Sequence, residues 1–210
     1  MRQERHLAYF NLLDAFKEGC PLCYLVQKTA SRYVDNLLYE QVNDPQTRQK
    51  IRKAKGFCNK HAWQIQKTGE ALGISIIYED LLKLSTAELH GERKKDKTII
   101  CLICHEERMT EKRNISILIE NIQDHDLIET YESSFGLCLP HLSMVFENKR
   151  DNQAIKKIKN IELKKIDHLI EELEKLQQKY DYRFSKEVMG KEGTAWIRAI
   201  EKLNGKEGVF

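Results

Sequence analysis

No apolar run in the chain approaches the roughly eighteen residues that a membrane-spanning helix needs, and the opening MRQERHLAYF is too charged and mixed for a secretory leader. Prolines number three and glycines ten in 210 residues, which argues against collagen-like, loop-dominated or disordered chains. Charge of one sign is not in excess either, since 35 basic and 32 acidic residues leave a net +3. That balance neither demands nor excludes an anionic partner. Also missing are a phosphate-binding P-loop, a Rossmann glycine pattern, a serine nucleophile elbow and an HExxH pair, so nothing in the pattern argues for catalysis.

What remains is a chain with 32% charged and 41% hydrophobic residues, long enough to bury a core without covalent staples. Apolar residues recur at three-four spacing nearly throughout, and the expected fold class is all-α. Leu7, Phe10, Leu13, Ala15 and Phe16 mark a first helix from Glu4 to Lys17, and Leu25, Val26, Ala30, Tyr33, Val34, Leu37 and Leu38 a second from Pro21 to about Val42. A short basic helix spans Gln46 to Lys55, another runs from Cys58 to about Thr68, and Ile74, Ile77, Leu81 and Leu84 stripe a third ending at Leu89. The polar run GERKKDK, residues 91–97, reads as a linker. Beyond it the order repeats: a helix from Cys101 to about Gln123, a short segment around Leu127 to Tyr131, a helix after Cys138, and a long one from Asn152 to about Tyr180.

All six cysteines fall into four short motifs. CxxC occurs at Cys20/Cys23 and Cys101/Cys104, and Gly-apolar-Cys-x-x-His at Cys58/His61 and Cys138/His141. The near-constant offset of the two copies points to an internal duplication. The expected organisation is a first metal-binding repeat over 1–90, a second over 98–180 and a C-terminal extension over 181–210 with one more short helix. Together they would form one helical bundle-like domain.

Thiolates at i and i+3 reach one ion from a single helical turn, and a Cys and a His at that spacing do the same. Within each repeat this makes a Cys3His set: Cys20, Cys23, Cys58 and His61, then Cys101, Cys104, Cys138 and His141. Two zinc ions are the expected cofactors, because Cys3His suits tetrahedral structural Zn²⁺. An iron–sulfur redox or sensor protein is the alternative, since His replaces Cys on iron in some clusters. A metal-free thiol role is a third reading, weakened by the CxxH pairs and by the lack of a βαβ pattern around either CxxC. Spacing does not say which halves meet, and Cys20/Cys23 with Cys138/His141 is an alternative pairing. CLICH also matches a haem-attachment motif, but the first copy has Tyr24 where the second has His105, and no export signal is read. His6, His90, His125 and His168 have no ligand spacing. The basic run 48–55 is expected as a solvated helix face.

GCPLC, NDPQTRQKIRKAKGFCNKHAWQI and the closing DYRF with TAWIRAIEKL resemble an uncharacterised prokaryotic family of helical proteins with paired CxxC and GFCxxH motifs. The likeness runs through most of the chain and departs from the pattern at CLIC and GLCLPH. It implies the same ligand assignment and no particular activity. The overall expectation is a cytoplasmic metal-binding protein of structural or interaction role, with a protein partner left open, nucleic acid not expected and no membrane contact.

Overall fold

A computed structural model describes residues 7–91, 100–148, 152–181, 183 and 188–210. Among them are ten α-helices and no strand: α1 Leu7–Ala15, α2 Pro21–Asn36, α3 Pro45–Lys53, α4 Asn59–Gln66, α5 Ala71–Leu89, α6 Leu102–Asn121, α7 His125–Ser133, α8 Leu139–Glu147, α9 Asn152–Lys179 and α10 Ala195–Asn204. The helices match the periodicity closely, because three-four spacing of apolar residues is a local signal. The expected linker over 91–97 lies outside the described residues from 92 onward, as do His6 and, in the DYRF motif, Tyr182 and Phe184. None of the described helices is long and apolar enough to cross a membrane.

One face differs from expectation. Leu7 and Phe10 of α1 are exposed and Tyr9 and Leu12 are buried in their place, whereas Ala15 and Phe16 are buried as expected. Tyr9 can turn inward because its phenol donates a 2.5 Å hydrogen bond to Asp124, the N-cap of α7. A buried tyrosine needs such a partner for its hydroxyl. Trp63 and Trp196 are both exposed.

The chain divides into two compact units. Unit 1 contains Met1–Leu25 and Glu111–Phe210, and unit 2 contains Val26–Thr110, so the boundaries fall inside α2 and α6. These units interleave with the sequence repeats instead of coinciding with them. In unit 2, Ala30, Val34, Ile65 and Ile103 pack with Cys101, and a neighbouring cluster joins Leu37, Val42 and Ile51 to Ile77 and Leu81 of α5. The basic run of α3 is partly neutralised: Arg48 and Arg52 both pair with Asp80, and Lys55 pairs with Glu88. In unit 1, α9 buries Ala154, Ile158, Ile161 and Leu176, and α10 packs on it through Ala195 and Lys202.

Candidate metal centres

The Gly-apolar-Cys-x-x-His motif is a device for starting a helix at a fixed point. Gly56 and Gly136 have φ of +91° and +81°, which turns the chain sharply where a side chain would be strained. A Cβ on Gly56 would also meet Leu81, and one on Gly136 would collide with Glu162. The next residue anchors the turn: Leu137 is fully buried, and Phe57 packs against both clusters of unit 2. Cys58 and Cys138 then occupy the N-caps of α4 and α8 in extended conformation, and His61 and His141 follow one turn later. Cys20 and Cys101 likewise immediately precede α2 and α6, with Cys23 and Cys104 one turn in. Four helix starts thus carry eight candidate ligands, where free N–H groups and the helix dipole favour thiolates.

The eight residues assemble as two quartets whose ligand atoms lie within 4.8 Å of one another. The halves are exchanged relative to the within-repeat sets: Cys20 and Cys23 meet Cys138 and His141 in unit 1, whereas Cys101 and Cys104 meet Cys58 and His61 in unit 2. In the first quartet His141 Nδ1 stands 3.5, 3.4 and 3.2 Å from the Sγ atoms of Cys20, Cys23 and Cys138, and Cys23 Sγ is 3.6 Å from Cys138 Sγ. In the second, His61 Nδ1 lies 3.1, 3.6 and 3.3 Å from Cys58, Cys101 and Cys104, and the sulfurs of Cys58 and Cys104 are 3.5 Å apart. A tetrahedral ion with bonds of about 2.3 Å to sulfur and about 2.0 Å to nitrogen needs ligand edges of roughly 3.5–3.8 Å. These eight edges lie at that spacing or a few tenths inside it, and the remaining sulfur–sulfur edges are within 4.8 Å.

Both imidazoles turn Nδ1 toward the sulfurs and Nε2 toward a carboxylate. His61 Nε2 is 3.0 Å from Glu107 Oε1, and His141 Nε2 is 3.5 Å from Glu111 Oε1. Neither N–H points squarely enough to make a well-aligned hydrogen bond, so these are close electrostatic pairs. A carboxylate on that side favours the proton at Nε2 and leaves the Nδ1 lone pair for an ion. Lys60 completes the arrangement in unit 2, with Nζ 3.0 Å from both oxygens of Glu107. Burial raises the Glu107 carboxyl, but His61 and Lys60 outweigh it and hold its pKa below the ordinary value.

Protons are distributed unevenly over each quartet. Burial pushes the Cys101 thiol up, yet His61 and backbone N–H groups of Cys104, Cys58 and Ile103 bring it down to about 6. Cys104 is driven the other way to about 12, by burial and by the neighbouring sulfurs. Burial would lower His61, but Cys101, Glu107 and Cys58 raise it to about 9. The first quartet repeats the pattern: Cys20 is held well below its ordinary value against the pull of burial, Cys138 is raised by its contacts with Cys20 and Cys23 and by burial, and His141 rises to about 11. Three sulfurs and an imidazole crowded out of water thus compete for protons, and one divalent cation can replace those protons at all four atoms.

Residues without any motif support the first quartet. Glu162 of α9, buried to 1% exposure, accepts from the Tyr131 hydroxyl and the Leu137 N–H at 2.6 Å each and from Lys202 Nζ at 2.5 Å. Lys202 of α10 also donates to Phe135 O at 3.2 Å and lies over the Phe135 ring. This network holds the 135–137 turn that delivers Cys138. Tyr131 keeps its proton far above the usual phenol range because it is buried, with Glu162 beside it.

His105 is exposed, which suits a surface residue and not a haem ligand, and His90, His125 and His168 are exposed as well. The exchanged pairing has a testable signature. Cys20→Ser should lower bound metal from about two ions per chain to about one. Adding Cys138→Ser should remove no more, and adding Cys58→Ser should remove the rest. Within-repeat pairing would interchange the two double-variant results, and metal analysis of the purified variants reads the difference.

Comparison with known proteins agrees with the duplication. The model of the family of unknown function DUF6062 matches twice, over residues 3–100 and 92–208, so the second match takes in α10. An uncharacterized 23.9 kDa protein in the xynA 3′ region of Caldicellulosiruptor sp. (strain Rt8B.4) is 29% identical over 214 residues, covering 93% of this chain and all of the relative. No solved structure matches.

Proposed function

The chain belongs to the DUF6062 family of unknown function, and from its own residues we propose that it is a structural zinc protein, with one Zn²⁺ in each Cys3His quartet. The observation that carries this reading is the approach of one Nδ1 to all three sulfurs at 3.1–3.6 Å in both quartets, with a carboxylate behind each histidine. Four soft or borderline donors and no further open position describe a closed structural site. The spacing favours one ion per quartet over a cluster. In an iron–sulfur cluster the ligands hang on different irons with sulfides between them, and they stand farther apart than one shared ion allows.

When bound, the ion supplies a four-way link between two helix starts: α2 with α8 in unit 1, and α6 with α4 in unit 2. The free thiols of all six cysteines suit a reducing compartment, which supports the cytoplasm as the place of action. Elemental analysis with a visible spectrum tests the reading, on protein purified without oxygen and without a metal-affinity tag. About two zinc per chain and no visible band is the expected result. Iron with matching sulfide and a broad visible band would replace it with the redox reading, and a chain that holds no metal would overturn both.

A further inference from the structure

The two quartets differ in their cover. In unit 1, Cys23, Cys138 and His141 have no exposure and Cys20 has 5%. The segment after α10 closes over them: Lys206 N–H donates to Cys23 Sγ at 3.5 Å, the Phe210 ring lies 5.0 Å from the His141 ring, and Gly205 is so close to Phe210 and Cys23 Sγ that a Cβ there would strike the phenyl ring. In unit 2, Cys101 and His61 are buried, whereas Cys58 and Cys104 are partly exposed. These two partly exposed cysteines stand at the starts of different helices, with their sulfurs 3.5 Å apart.

We propose that the unit 2 quartet is an oxidant-responsive zinc site, at which a hydroperoxide converts Cys58 and Cys104 to a disulfide and releases the ion while the unit 1 quartet keeps its own. The inference rests on the zinc reading above. Access decides which thiolate a peroxide reaches, and a zinc-bound thiolate remains a nucleophile. One of the two sulfurs attacks the terminal peroxide oxygen. The O–O bond breaks, the leaving alkoxide or hydroxide takes a proton, and a sulfenic acid remains. The second thiolate attacks that sulfur, the S–S bond forms, and hydroxide leaves as water after taking a second proton. Two electrons have passed from the sulfurs to the peroxide. Zn²⁺ keeps only Cys101 and His61 and departs, and a dithiol reductant reverses the sulfur chemistry by thiol–disulfide exchange.

Specificity for this quartet comes from placement. Cys58 caps α4 and Cys104 lies in the first turn of α6, so the disulfide takes over the helix-to-helix link that the ion provided. In unit 1 the same step is opposed by the Phe210 and Lys206 cover, and by cysteines that are buried, two of them completely.

The test is a hydrogen peroxide titration of the full zinc-loaded chain, reading zinc release with a chromogenic chelator and mapping the cysteines by alkylation and mass spectrometry. The zinc count before peroxide judges the zinc reading separately: a chain with no zinc fails there, and the inference falls with it. The expected result is release of one of the two ions, at least about tenfold faster than the other, with a Cys58–Cys104 disulfide and with Cys20, Cys23 and Cys138 alkylated as free thiols. Simultaneous loss of both ions, or oxidation centred on Cys20, Cys23 or Cys138, would overturn the proposal, as would zinc loss without that disulfide. Phe210→Ala provides a second readout. It should speed loss of the retained ion and leave the first release unchanged, and an unaltered slow phase would show that the cover is not what protects unit 1.

Discussion

With one zinc in each quartet as proposed, stripping the metal from the full chain with a strong chelator is expected to abolish cooperative thermal unfolding and much of the helical circular dichroism, and stoichiometric zinc should restore both. The reason lies in the lengths of the elements that the quartets tie together. α4 has eight residues and α8 has nine, well under the ~12–15 at which an isolated helix becomes even marginal in water. Their N-caps make no side-chain cap hydrogen bond, because the capping residue in each case is a cysteine turned to its quartet. Zinc binding to small Cys/His sites is worth on the order of 10–16 kcal/mol, as large as the ~5–15 kcal/mol by which a whole domain is usually stable. Metal-free quartets also keep buried thiols and an imidazole competing for protons, which opposes burial further. Cys138→Ser should reproduce the loss within unit 1, since its sulfur is fully buried and shared with Cys20, Cys23 and His141. Melting of the chelated chain at the temperature of the zinc-loaded one would show that the ions are bystanders to folding.

The helices and the eight candidate ligands were legible in the sequence because both are local signals. Three-four periodicity reports a helix wherever it occurs, and CxxC or CxxH places two donors on one turn whatever surrounds them. The pairing of the quartets was not legible. Cys23 meets Cys138 across 115 positions and Cys58 meets Cys104 across 46, and no local rule distinguishes those encounters from the within-repeat ones. Glu107 and Glu111 look like any two helix carboxylates. Their spacing of three and seven from Cys104 places them on its face of α6, the one hint available from sequence. The C-terminal stretch read as an extension lying outside the repeat, yet Lys202 and Gly205–Phe210 complete unit 1 around its quartet. A single buried lysine near the end of an amphipathic helix has no signature until its partner, forty residues earlier, is placed beside it.

That partner sets the second large effect: Lys202→Met should destabilise unit 1 by about 3–5 kcal/mol, the usual cost of leaving one member of a buried ion pair uncompensated. For a chain of this size the loss corresponds to a fall of roughly 10 °C in the melting midpoint of the zinc-loaded protein. Glu162 is 1% exposed and Lys202 4%, so water cannot take the place of the missing ammonium. Glu162 also holds the Leu137 N–H, and its displacement would loosen the turn that sets Cys138. Zinc should therefore leave unit 1 faster in the variant while exchange from unit 2 is unaltered, and a merely local packing defect would not divide the two ions in this way. Glu162→Gln keeps an acceptor for Tyr131 and Leu137 but discards the charge. In combination with Lys202→Met it should recover part of the loss, because neither member is then a lone buried charge. A double variant whose destabilisation equals the sum of the two single losses would mean that the lysine and the carboxylate act independently, and that the turn before Cys138 is held by something other than their contact.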